Sequence, residues 1–198
     1  GDLHPVQKAM SEGHGSQCGF CTPGFVMSLW HGYETGAPTD AGSVADQLAG
    51  NLCRCTGYGP ILNAAQVARD LPDAPSDKPD ACTRLKALDA GPLTYEVDGC
   101  AFWAPQDADT LAQLVETHPD ATILAGATDV GLWVTKQGFA PDKIIYLGDC
   151  ADLAEIEETL TGVQIPAAVS HQKAMSSLAE MFPDMGELWR RFASEQVR

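Results

Sequence analysis

Four of the seven cysteines in this 198-residue chain fall into two tight pairs. Two residues separate Cys18 from Cys21, one separates Cys53 from Cys55, and 31 lie between the pairs. If all four thiols serve one centre, the chain has to fold its two loops together, and that governs everything between them. Four thiolates in two clustered pairs suit a [2Fe–2S] or a zinc centre. The odd total, in a chain whose first residues lack the basic start and apolar core of an export signal, argues for reduced thiols rather than a disulfide framework. Structural zinc usually places two or more residues between paired ligands, so the lone Arg54 between Cys53 and Cys55 fits it poorly. The spacing also differs from the plant-type ferredoxin run. Iron–sulfur is favoured, and a zinc-stapled, non-redox interaction module is the alternative. Cys82, Cys100 and Cys150 have no partner at ligand spacing and read as ordinary thiols.

The flanking residues read as tight loops on short helices. In QCGFCTPG (17–24), Gly19 lets backbone amides turn toward sulfur and Pro23 fixes the exit. In NLCRCTGYGP (51–60), Gly57 and Gly59 permit a close wrap and Arg54 adds a positive charge. Four helices follow from the pattern of residues 1–71. His4-Pro5 opens one, with Val6, Ala9 and Met10 on a face. Thr22-Pro23 opens the second, the hydroxyl capping, with Val26, Leu29, Trp30 and Tyr33 inward and Gly36 ending it. Asp40 caps the third, with Ala41, Val44, Ala45, Leu48 and Leu52 inward. Gly59-Pro60 precedes the fourth, which carries Ile61, Ala64, Ala65 and Ala68. So small a bundle is marginal on apolar burial and gains from a metal staple.

Pro72, Pro75, Pro79 and Pro92 make residues 72–92 read as an extended linker. Residues 93–198 mix periods. A helix follows Asp109 with Leu111, Leu114 and Val115, and strands are predicted at 121–126, 143–148 and 163–169. Residues 171–193 read as helical with a break near Pro183. The fold class is multidomain: a small four-helix domain (1–71), the linker, then an α+β domain (93–198). Twelve basic against 27 acidic residues give a net charge of −15. That excludes nucleic acid or an anionic membrane as the main partner. No uncharged apolar stretch approaches the roughly 18 residues of a bilayer span. The five histidines are scattered, the acidic run 152–158 reads as a solvated face, and no acid–base pair emerges, so no catalytic residue is named. Trp30 and Trp133 fall on apolar patterns and read as core.

SQCGFCTPGF (16–25) followed by NLCRCTGYGPI (51–61) resembles the helical [2Fe–2S] domain of the molybdenum hydroxylases, the family of xanthine dehydrogenase, aldehyde oxidoreductases and carbon monoxide dehydrogenase. PQDADTLAQLVETHPDATILAGATDVGLWVTKQ (105–137) is similar to the start of that family's flavin domain, where a strand and a Gly-rich turn wrap the FAD pyrophosphate with backbone amides. The resemblance implies that Cys18, Cys21, Cys53 and Cys55 bind the cluster nearest molybdenum. It implies that Gln17 touches molybdopterin, that Cys55 lies against the pterin, and that Leu124, Ala125, Gly126, Ala127, Thr128 and Asp129 line the FAD turn. The domain order resembles the small iron–sulfur/FAD subunit of bacterial two-subunit xanthine dehydrogenases. The implied role is a cytoplasmic electron-transfer segment of an oxidoreductase, hetero-oligomeric with a molybdenum-binding large subunit that holds the molybdopterin. Electrons would pass from molybdenum through the [2Fe–2S] cluster toward FAD and NAD. A subunit of an aldehyde or N-heterocycle dehydrogenase is the alternative within the family.

Three departures stand out. Ala127 occupies a position where bacterial relatives often have Gly, which disfavours a positive φ there. Pro166, in QIPAAVS, replaces a usual Gly. The chain stops at RRFASEQVR, where the family continues into a second Gly-rich loop of the flavin site. It also lacks an initiator Met, a plant-type iron–sulfur domain and molybdenum domains. The expectation is an internal fragment with a truncated FAD domain, not catalytically competent alone and not retaining FAD.

Overall fold

The computed structural model describes residues 2–72, 78–88 and 91–198. They form two units: one holds the chain up to Asp80 together with Glu187–Gln196 and Arg198, the other holds Ala81–Gly186 and Val197.

The first unit is built on α1 (Pro5–Glu12), α2 (Thr22–Thr35), α3 (Ala41–Gln47) and α4 (Gly59–Asp70). α1 starts where Pro5 needs no donor and His4 caps: its Nδ1 accepts from the Val6 amide at 3.2 Å, while Gln7 Oε1 accepts from the His4 amide at 3.0 Å. α3 starts because Asp40 accepts from the amides of Gly42 and Ser43, both at 3.1 Å. α2 ends at Gly36, whose φ of 72° closes the last turn. Val6, Ala9, Met10, Phe25, Leu29, Val44, Leu48, Ile61, Ala64 and Ala68 make one core. Arg69 donates to the Gly32 carbonyl at 2.8 Å with its guanidinium 4.8 Å from the Tyr33 ring centroid, tying α4 to the end of α2. Also in this unit, Arg190 donates to Asp46 at 2.7 Å.

Several expectations change here. The inner stripe of α2 is rotated toward Phe25: Phe25, Leu29 and Gly32 are buried, Val26 and Tyr33 stay partly buried against the core, and Trp30 is 39% exposed. At Gly32 the Gln47 side-chain amide lies where a Cβ would stand, so the helix presents bare backbone to it. The Thr22 hydroxyl does not cap α2; it bonds Ser16 Oγ at 2.6 Å, and Cys21 occupies the cap position. α3 ends at Gln47, leaving Ala41, Ala45 and Leu52 exposed. Within the stretch read as extended, Lys78–Lys86 form a helix, α5; residues 73–77, 89 and 90 of that stretch lie outside the described residues.

The second unit contains a sheet of β1 (Leu93–Val97), β2 (Cys100–Ala104), β3 (Thr122–Leu124) and β4 (Lys143–Tyr146) in the order β1-β2-β4-β3. β1 and β2 are an antiparallel hairpin turned at Asp98-Gly99, with φ of 49° and 86°; β2 and β3 each run parallel to β4. This hairpin, absent from the sequence reading, is signalled by Asp-Gly between two apolar runs. α6 (Ala108–Thr117) crosses from β2 to β3. Its cap is Asp107, not Asp109: Asp107 accepts from the Thr110 amide at 2.7 Å, and Asp152 receives the Ala108 amide at 2.8 Å. A helical turn Val130–Leu132, α7, runs into a π-helical turn at Trp133–Gln137, where Trp133 is half-buried. The strand expected at 163–169 is only β6 (Gly162–Gln164), paired with β5 (Glu157–Thr159) in a separate hairpin. Pro166 donates no hydrogen bond and stops it. α8 (His171–Met181) and α9 (Pro183–Arg191) follow, broken before Pro183. Trp103, Ala104, Ile145, Leu147, Cys150 and Ala174 are buried, and Trp103 stacks on His118 at 4.2 Å between centroids.

The rotated stripe has a direct consequence. Phe25→Ala empties a fully buried site and is expected to cost about 4 kcal/mol, whereas Trp30→Ala is expected to change stability by about 0.5 kcal/mol or less. Urea unfolding followed by circular dichroism measures both, and equal losses would contradict the packing.

Candidate functional site

α2 and α4 both begin beside a cysteine pair. Cys21 is the cap residue of α2, and α4 starts at Gly59, four residues after Cys55. Both pairs therefore stand near helix N-termini, where partial positive charge favours thiolate. Gly19, with φ of 84°, makes the turn between Cys18 and Cys21; Gly57 and Tyr58, at 69° and 68°, turn the chain after Cys55. The second pair is suspended from the core by Tyr58. Its ring meets Phe25 edge-on at 6.2 Å, and its hydroxyl accepts from the Cys53 amide at 3.0 Å.

The four sulfurs approach in crossed pairs. Cys18 Sγ lies 3.6 Å from Cys55 Sγ, and Cys21 and Cys53 stand close enough to shift each other's pKa. Each pair thus takes one thiol from each motif. Among the described residues no three His, Cys, Asp or Glu side chains stand together as a ready metal-holding group. Cys53 is buried, Cys21 half-buried, and Cys18 and Cys55 are exposed. The Thr56 hydroxyl, the Thr56 amide and the Cys55 amide lower the Cys53 pKa to about 7. The Phe20 amide and then Cys55 lower that of Cys18. Burial, then the bond to Cys53, raises Cys21, and the bond to Cys18 raises Cys55. A donor set of thiols, two of them favoured as thiolates by backbone amides, fits an iron–sulfur cluster.

Gln17 is exposed beside Cys18, as are Phe20 at 93% and Leu52 at 81%. A groove of about 600 Å³ opens next to them, lined among others by Met10, Gly19, Pro23, Val26 and Met27. Thr56 and Tyr58, which contact Cys53, were not singled out by sequence reasoning. The available signal was a hydroxyl three residues after a ligand candidate, in a loop too short for it to point elsewhere.

In the second unit, Leu124 to Asp129 lie at the carboxyl end of β3. Leu124 is half-buried and its carbonyl accepts from the Leu147 amide at 2.8 Å; Ala125 to Asp129 are exposed. The amides of Ala125, Gly126, Ala127 and Thr128 have no backbone acceptor among the described residues. Ala127 holds φ of 60° while its carbonyl accepts from Gly131 at 2.9 Å. A left-handed residue in such a turn brings successive amides to one side, which suits a phosphate. The open amides fit FAD; the alanine side chain there is strained.

The chain matches two family models. Residues 1–66 match the [2Fe-2S] binding domain, and residues 95–198 match the FAD binding domain in molybdopterin dehydrogenase. The second match covers more than half of the chain, which belongs to that molybdopterin dehydrogenase family. The chain is similar to xanthine dehydrogenase of Drosophila subobscura, 27% identical over 99% of this chain and 18% of the relative. It is equally close to aldehyde oxidase 2 of Mus musculus, 27% identical over 92% of this chain and 17% of the relative. It thus spans under a fifth of the length of these curated relatives. Among solved structures, quinoline 2-oxidoreductase from Pseudomonas putida 86 aligns with 50% of this chain and 39% of its own, at a TM-score of 0.41 and 18% identity.

Two outcomes follow. Ala127→Gly removes a left-handed strain of about 1–2 kcal/mol but loosens the unfolded chain by about 0.4–1 kcal/mol. The net expectation is a rise of about 0.5–1 kcal/mol, read from denaturant midpoints; a loss would mean the turn does not hold its left-handed form. Cys53, depressed below an ordinary thiol, stabilises the metal-free fold above that ordinary pKa and loses this contribution as pH falls through about 7. Alkylation mapped by mass spectrometry should show Cys53 half-ionised near pH 7, with Cys21 and Cys55 still protonated.

Proposed function

We propose that this chain is the electron-transfer segment of a molybdenum hydroxylase of the xanthine dehydrogenase or aldehyde oxidase kind, with Cys18, Cys21, Cys53 and Cys55 holding the [2Fe–2S] cluster. The crossed pairing carries the reading. Cys18 with Cys55 and Cys21 with Cys53 bring together one thiol from each motif, so the four would hold a [2Fe–2S] cluster between the two loops, while the lone Arg54 between Cys53 and Cys55 disfavours structural zinc. The cluster, when bound, supplies one-electron transfer. The chain supplies the ligands, the amides and hydroxyl that favour Cys53 as thiolate, and an exposed apolar rim.

That rim supports a partner. Gln17, Phe20 and Leu52 surround the exposed Cys18 and Cys55, and side chains as large as these stand open where another surface covers them. The partner is a molybdopterin-bearing domain, on a separate large subunit in the reading that the domain order favours. The Leu124–Asp129 turn receives the FAD pyrophosphate on its open amides. NAD is the final acceptor in this scheme. Bond-making takes place on the molybdenum domain, so this chain supplies no catalytic residue. Seven free thiols suit the reducing cytoplasm, and no helix among the described residues is long and apolar enough to cross a membrane.

Reconstitution with iron and sulfide tests this. The chain is expected to take up two irons and two sulfides, to colour, and to give an EPR signal on one-electron reduction. Cys53→Ser is expected to lose most of the iron. A colourless protein carrying stoichiometric zinc, unfolded by chelator, would overturn the reading.

A further inference from the structure

The loop after the second cysteine pair closes a ring of hydrogen bonds on itself. The Cys53 amide donates to Tyr58 Oη at 3.0 Å, and the Tyr58 amide donates to Thr56 Oγ1 at 3.2 Å. Thr56 Oγ1 stands 3.2 Å from Cys53 Sγ, and the Thr56 amide donates to the same sulfur at 3.5 Å. The order of donors is fixed by chemistry. A ligand thiolate only accepts, so the hydroxyl proton between Thr56 and Cys53 comes from Thr56. The Tyr58 amide already occupies the far side of that oxygen, which leaves its proton directed at sulfur. Among the described residues no other sulfur of the four has a hydroxyl partner.

The geometry holds this hydroxyl in place without packing it into the core. Gly57 and Tyr58 both adopt left-handed backbone, which folds the chain back so that the Tyr58 amide faces Thr56 and its ring reaches Phe25. Tyr58 is strained in this left-handed backbone, and the ring of hydrogen bonds is what this strain secures.

We propose that Thr56 is a positioning residue that raises the reduction potential of the bound cluster by donating its hydroxyl hydrogen bond to the Cys53 thiolate. The proposal rests on the reading of Cys53 as a ligand. Reduction adds one electron and neither makes nor breaks a covalent bond. The thiolates then share one more negative charge, so a donor aimed at sulfur stabilises the reduced state more than the oxidised one.

The 198-residue chain and its T56S, T56V and T56A variants, each reconstituted with iron and sulfide, are titrated potentiometrically with dye mediators and read by EPR. T56V and T56A are expected to move to a lower potential: at the wild-type midpoint their reduced-to-oxidised ratio falls about tenfold, a shift of about 59 mV for one electron. T56S keeps the hydroxyl and is expected to stay at the wild-type midpoint. If T56V and T56A hold no iron while T56S holds it, the hydroxyl serves to retain the cluster and not to set its potential, and the proposal is overturned. Full iron in T56V or T56A with an unmoved midpoint overturns the proposal, as does T56S shifting or losing iron together with the others. Iron and sulfide content separates the two levels: a wild-type chain that takes up no iron sinks the ligand reading itself, whereas full iron with unmoved midpoints sinks only the role of Thr56.

Discussion

The contact between Tyr58 and the Cys53 amide joins the chemistry of this chain to its core. Phe25 is fully buried, Tyr58 meets it edge-on, and the Tyr58 hydroxyl receives the amide of a candidate ligand. A loop with so many exposed residues has little apolar area of its own to hold it. It is held through one ring that touches both the helices and the cysteine backbone. The left-handed Tyr58 is the cost of that arrangement, since an extended residue there would direct the ring away from the core.

Helix placement follows from the same need. A centre held by four thiolates is anionic, and it is most easily accommodated where backbone donors are unspent. α2 begins at Cys21 and α4 just past Cys55, so each cysteine motif adjoins the positive end of a helix dipole. At the end of α3, capped by Asp40, the Gln47 side chain lies against Gly32 and donates to the Ser28 carbonyl, and Asn51 donates to Ser28 Oγ at 2.8 Å. Those contacts return the chain to α2 just before Cys53. The 31 residues between the pairs therefore act as a folded spacer that sets the distance between two short loops.

Much of this was legible in the sequence, and the failures have local causes. The helix starts at Pro5, Asp40 and Gly59-Pro60 were readable because a proline or a capping carboxylate acts on its own neighbours. The face of α2 was misread because apolar periodicity ranks Trp30 above Gly32. Burial is decided by which side chains other segments bring up, Gln47 at Gly32 among them, which no window along α2 records. The helix at Lys78–Lys86 was hidden by Pro75 before it, Pro92 after it and Pro79 inside it, where the first turn tolerates a proline. The Asp98-Gly99 hairpin carries a plain turn signal but lies before residues 105–137, the stretch similar to the flavin domain. The cysteine set was visible from spacing, but the crossed pairing and the Thr56–Tyr58 ring depend on how two distant loops meet.

The two cofactor sites use backbone amides differently. At Cys53 the amides are spent inside the chain, on sulfur, and a side-chain hydroxyl adds to them. At Ala125 to Thr128 they are left open, and a phosphate would complete them. The first arrangement belongs to a site whose ligands are the protein's own, so its donors hold a shape even without metal. The second belongs to a site that becomes satisfied only when something binds, and its left-handed Ala127 is strained before anything does. Glycine would meet the same turn without that strain. This chain therefore invests its backbone order in the cysteine loops and leaves the flavin turn dependent on its ligand, which makes the helical unit the part whose architecture is set in advance.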